Sequence, residues 1–126
     1  MMTTSKLTHD YRVEIGVRDH YFISDVDKNL GGNDEGPNPH ELVEAALCAC
    51  TGMTVKMYAK RKQIPLQEIN VNVKIEKEGV VNLIKREIEL IGDLSDEQRV
   101  QLLQIADKCP IHKLLIAQVS IETSEV

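Results

Sequence analysis

The chain has no tryptophan, one phenylalanine and three tyrosines among its 126 residues. Its core must therefore be built from Leu, Ile, Val, Ala and Met. The scarcity of aromatics also argues against a nucleic-acid partner, since such proteins use stacking surfaces and a basic face. A net charge of −5 points the same way. No apolar run approaches the roughly 18 residues of a membrane span, so no membrane partner is expected. The start, Met1-Met2-Thr3-Thr4-Ser5-Lys6, has no apolar stretch of the signal-peptide kind, and a cytoplasmic location is expected. The three cysteines, an odd number, do not read as a disulfide framework. There is no internal repeat and no linker, so the expectation is one domain, 1–126, long enough to bury a core of its own.

What is present is a mixture of strand and helix patterns. Tyr11, Val13, Ile15 and Val17 alternate with polar residues and predict a half-buried strand. Arg18-Asp19-His20 predicts a turn, and residues 21–25 a return strand. A Gly/Pro-rich loop, 31–39, precedes a helix. Asn38 has the marks of its N-cap, with Pro39 at the first helical position and Glu41 three residues after the cap. This helix should run to about Lys62, stopped before Pro65. It is rich in Leu, Val, Ala, Cys and Met on nearly every side, and a helix apolar all round is buried all round. One sheet covers one side only, so a partner subunit is the economical cover for the other. Further strands are predicted at Val71–Ile75, at Ile84–Leu90 and at Val119–Ile121. Between the last two, Ser95 to Gln98 reads as a capping box opening an amphipathic helix to about Lys108. Pro110 restarts a short helical turn. The class is α+β with antiparallel hairpins.

Two thiols stand where chemistry explains them at least as well as packing. If Pro110 opens a turn, Cys109 is its cap, near unpaired N–H groups that lower a thiol pKa, with Lys108, His112 and Lys113 nearby. The alternative is a small buried residue at a helix junction. Cys50 lies about three turns into the long helix, where the dipole is weak, so a thiolate there needs a cation. Arg61 stands about 16 Å further along the same helix and cannot reach it. Arg18 is the preferred partner. Packing is the competing reading for Cys50. Cys48 is about 200° around the helix from Cys50 and reads as structural. The same geometry disfavours a zinc site of Cys48, Cys50, Cys109 and His112. No metal and no cofactor are expected. Glu41 either closes a capping box with Asn38 or anchors an active-site arginine. It lies about 13 Å from its own Cys50 along the helix axis, so the second role requires a dimer. His40 and His112 are candidate acid/base groups that could equally be surface residues.

The segment Gly36-Pro37-Asn38-Pro39-His40-Glu41-Leu42, continued by Ala45-Ala46-Leu47-Cys48-Ala49-Cys50-Thr51, resembles the central helix of the OsmC/Ohr family (osmotically inducible protein and organic hydroperoxide resistance protein). Ile105-Ala106-Asp107-Lys108-Cys109-Pro110-Ile111-His112-Lys113 is similar to that family's second-cysteine motif. The resemblance is closest to the OsmC-like branch. It implies an intertwined homodimer with antiparallel sheets around long buried helices, and active sites at the subunit interface. It also implies reduction of an organic hydroperoxide, with Cys50 as the peroxidatic thiol, Cys109 as the resolving thiol and an external dithiol as reductant. Arg18 is similar to the family's N-terminal arginine. The family's active-site glutamate falls at His40 here, with Glu41 one position later. The alternative function is a non-catalytic module that binds a small hydrophobic or thiol ligand at the dimer interface.

Overall fold

A computed structural model describes residues 2–126, and these fall into two compact units, the residues up to Val43 and Glu44–Val126. The first unit holds an antiparallel meander of β1 (Thr4–His9), β2 (Arg12–Val17) and β3 (His20–Ser24). The β2–β3 turn is two residues long, with Val17 opposite His20, and Arg18 takes a positive φ of 53° there. β1 carries no alternating signal in the sequence, because Leu7 is its one large apolar residue and all six positions are exposed. It is held by backbone pairing with β2, not by a buried face.

The Gly/Pro-rich loop is tied down by a buried carboxylate. Asp25 accepts hydrogen bonds from the N–H groups of Val26, Asn33 and Glu35. Burial works against its charge, but those donors and His9 prevail and hold its pKa below the usual carboxylate value. A Cβ on Gly36 would collide with the carbonyl of Ile23, so only glycine lets the loop pass there. The loop delivers the chain to α1 (Pro39–Arg61). Its expected capping box is present: Glu41 N–H donates to Asn38 Oδ1, and Asn38 N–H donates to Glu41 Oε1, each at 2.9 Å.

In the second unit the strands β4 (Leu66–Lys77) and β5 (Leu83–Gly92) form an antiparallel hairpin. α2 (Asp96–Ala106) opens with the predicted Ser95–Gln98 capping box, and α3 (Pro110–Ile116) has Cys109 as its N-cap. The core gathers Val55 and Ala59 of α1, Leu66 of β4, Leu90 of β5, and Leu102 and Ala106 of α2. α1 also runs along β4 through side-chain hydrogen bonds. Lys56 Nζ donates to Leu66 O at 2.6 Å, Cys48 Sγ donates to Val71 O at 3.5 Å, and Glu44 accepts from Ile75 N–H at 2.7 Å.

One expectation needs correction. Residues 118–126 form no strand, because a strand requires a neighbour to pair with and no described strand pairs with Val119 or Ile121. Within this single chain α1 is covered on one side. One stripe is buried, Leu47, Thr51, Val55 and Ala59, while Met53 and Met57 stay 60% and 67% exposed. No helix among the described residues is long and apolar enough to cross a membrane.

Candidate active site

The two singled-out thiols meet at the first turn of α3. Pro110 has no N–H, so the first donors this helix offers are Ile111 and His112. Ile111 N–H donates to Cys50 Sγ at 3.5 Å, and His112 N–H donates to Cys109 Sγ at 3.3 Å. One sulfur arrives from mid-α1 and the other caps the turn itself. Cys109 is fully buried and Cys50 half-buried. Both are free thiols. Cys48 faces β4 instead, as its helical position requires.

The surroundings favour a thiolate at Cys50. Burial alone would raise its pKa. That is outweighed by the Ile111 N–H, by hydrogen bonds from the Cys109 and Thr54 side chains, and by the charge of Arg86, so that the Cys50 pKa lies below the ordinary thiol value. Thr54 Oγ1 lies 3.9 Å from the sulfur.

Arg86 is the cation that the sequence reading missed. It projects from β5 with its side chain 12% exposed. Its Nη1 donates to Thr51 Oγ1 at 3.2 Å, and its Nη2 pairs with Asp107 Oδ1 at 2.7 Å. Thr51, next to Cys50 in α1 and fully buried, in turn directs its hydroxyl to Cys109 Sγ at 4.0 Å. Asp107, two residues before Cys109, also lies 4.0 Å from His112 Nδ1. Thr51, Arg86, Asp107 and His112 thus form one polar chain around the thiol pair. A signal for Arg86 was available. Ile84, Arg86, Ile88 and Leu90 share the inward register of β5, where a charge is out of place unless it has partners.

Beside this chain opens a cavity of about 320 Å³. Leu47, Leu83, Ile84, Leu115 and Ile116 make its apolar walls, and Asn82, Arg86 and His112 its polar ones. Of the other candidates, Arg18 is exposed at the β2–β3 turn, and Glu41 has a carboxylate oxygen engaged in the α1 cap. His40 is exposed in the first turn of α1. No cluster of three or more metal-ligating side chains occurs among the described residues.

An α+β fold that brings two free thiols to one helix turn beside an arginine defines a paired-cysteine protein. A sequence profile of the OsmC-like protein family matches residues 31–124, and the chain belongs to that family. None of the curated proteins matches it in sequence. Among solved structures, it is similar to an OsmC-like protein from Mycoplasma pneumoniae, with a TM-score of 0.79 and 19% identity over 90% of this chain and 85% of the other. An organic hydroperoxide resistance protein from Elizabethkingia anophelis superposes with a TM-score of 0.68 and 22% identity, over 92% and 89% of the two chains. The organic hydroperoxide resistance protein OhrB of Bacillus subtilis gives 0.59 and 23%, over 92% and 91%.

Proposed function

We propose that this chain is a thiol-dependent peroxidase that reduces organic hydroperoxides. The observation that carries the reading is the shared first turn of α3, where Cys50 is favoured as a thiolate with Cys109 as its neighbour. The Cys50 thiolate attacks the terminal peroxide oxygen. The O–O bond breaks, leaving a sulfenic acid on Cys50 and an alkoxide that takes a proton to become the alcohol. The Cys109 sulfur then displaces hydroxide from the sulfenic acid, which departs with the thiol proton as water, and a Cys50–Cys109 disulfide forms. An external dithiol restores both thiols by exchange. The apolar cavity beside Arg86 and His112 suits the organic part of the substrate, and the hydroperoxide resistance proteins of similar fold support the same chemistry. Of the basic and acidic residues, Arg86 is assigned the charge at Cys50. Arg18 and Glu41 rest on the family resemblance.

The reading is tested by adding tert-butyl hydroperoxide to the reduced protein with excess dithiol. Peroxide should disappear catalytically, with one dithiol consumed per peroxide. Reversible binding of the hydroperoxide without its consumption would instead identify a non-catalytic binding module.

The working form is proposed to be a homodimer, with the family match across the boundary of the two units supporting a single domain, 1–126. The exposed Met53 and Met57 on α1 are the surface a partner would cover. Light scattering at low micromolar concentration should give about twice the 14.2 kDa chain mass. A stable monomer would remove the partner from the mechanism.

A further inference from the structure

The peroxidase chemistry leaves one proton unassigned. When the Cys50 thiolate attacks a hydroperoxide, the peroxide's own hydrogen stays on the oxygen that becomes the sulfenic hydroxyl. The other oxygen leaves as an alkoxide, a strong base in an apolar setting, and its departure is slow unless an acid protonates it as the O–O bond breaks. The resting site must therefore hold a proton donor other than the nucleophile.

The groups around the thiols can be taken in turn. A guanidinium keeps its proton in proteins, so Arg86 is not the donor. Asp107, paired with that guanidinium, is a carboxylate acceptor. Thr51 and Thr54 are hydroxyls too weakly acidic to protonate an alkoxide and recover at neutral pH. The Cys109 proton leaves later with the water of disulfide formation. His112 is different. Imidazole is the side chain suited both to carry a proton and to release it in general acid catalysis.

Its placement fits. His112 lines the cavity that Leu47, Leu83, Leu115 and Ile116 make apolar. Its Nδ1 stands 4.0 Å from Asp107 Oδ1, the same oxygen that Arg86 Nη2 holds at 2.7 Å. An acceptor fixed by one partner and facing one ring nitrogen orients the ring. Its own backbone N–H is committed to Cys109 Sγ, so the residue is anchored at the thiol pair whatever its side chain does.

We propose that His112 is the proton donor to the leaving alkoxide, oriented by Asp107, a role that rests on the peroxidase reading above. The imidazolium gives its proton to the alkoxide as the S–O bond forms and the O–O bond breaks. The alcohol departs, and the neutral ring takes up a proton from solvent before the next turnover.

The test exploits leaving-group basicity. Single-turnover oxidation of Cys50 is followed at pH 7 in the full-length reduced protein, with tert-butyl hydroperoxide and with peracetic acid. The first releases a basic alkoxide that needs a proton; the second releases a carboxylate that does not. In His112→Asn the rate with tert-butyl hydroperoxide should fall on the order of 100-fold, as expected for loss of a general acid, while the rate with peracetic acid is retained. His112→Gln should behave alike, and alkylation of Cys50 by iodoacetamide should be unchanged in both, showing the thiolate intact. Equal losses with both oxidants, or no loss with either, would overturn the assignment of His112 while leaving the peroxidase reading standing. A wild-type protein that reacts with the peracid but not with the hydroperoxide would overturn both.

Discussion

Cys50→Ser should abolish hydroperoxide consumption while the chain stays folded. A serine hydroxyl is not ionised at neutral pH, so the reacting electron pair is lost, yet the oxygen can still accept the Ile111 N–H. Cys109→Ser should behave differently. One equivalent of hydroperoxide should be reduced, after which the protein accumulates a Cys50 sulfenic acid that no neighbouring sulfur can trap. Cys48→Ser should retain turnover, because its side chain donates to Val71 O on the β4 side of α1, away from the first turn of α3. Mass spectrometry after stoichiometric hydroperoxide separates the three. Wild type should show the loss of two hydrogens that marks a disulfide, Cys109→Ser the gain of one oxygen, and Cys50→Ser no change. Consumption surviving in Cys50→Ser would place the nucleophile elsewhere. Equal losses in the Cys48 and Cys50 variants would contradict the separation of the two thiols around α1.

The long helix, the two capping boxes and the 66–92 hairpin were legible because each has a local signal. Asn38 and Ser95 cap helices through contacts three residues away, and the alternation of Ile84, Ile88 and Leu90 is written within one strand. Cys109 was legible for the same reason: a cap before Pro110 needs no tertiary information. The meeting of Cys50 with that turn was not local. It depends on α1 and α3 being packed so that Ile111, 61 residues on, presents its N–H to the sulfur. Sequence alone offers as cations for Cys50 only residues near the helix or within a known motif, and Arg18 is of the second kind. Arg86 lies 36 positions away on a strand whose other inward residues are apolar, and its role follows from Thr51 and Asp107 arriving beside it. The absent strand at 119–121 marks the opposite limit. Val119 and Ile121 have the right alternation, but alternation reports a face that could be buried, not a partner that buries it.

Arg86→Ala should slow the reaction on the order of 10–100-fold, through two separable effects. The first is electrostatic. Arg86 is one of the groups that lower the Cys50 pKa, so its removal moves the pH dependence of Cys50 alkylation toward higher pH. Because the Ile111 N–H and the Cys109 and Thr54 side chains remain, the thiolate is less favoured but not lost. The second is geometric. Arg86 holds Thr51, beside Cys50, and Asp107, ahead of Cys109, with one guanidinium. Releasing both lets the thiol-bearing segments drift, and misplacement of reacting groups by about 1 Å can cost ~100-fold. Arg86→Lys separates the effects, since a lysine keeps the charge but presents a point donor in place of the fork that spans Thr51 and Asp107. It should restore the alkylation curve at Cys50, measured with Cys48 and Cys109 replaced. In the background that retains Cys109, disulfide formation should stay slow. Arg18→Ala, measured in parallel, reports whether the exposed hairpin arginine contributes. If Arg86→Ala leaves the alkylation curve in place and Arg18→Ala moves it, the charge at Cys50 comes from the β2–β3 turn and not from β5.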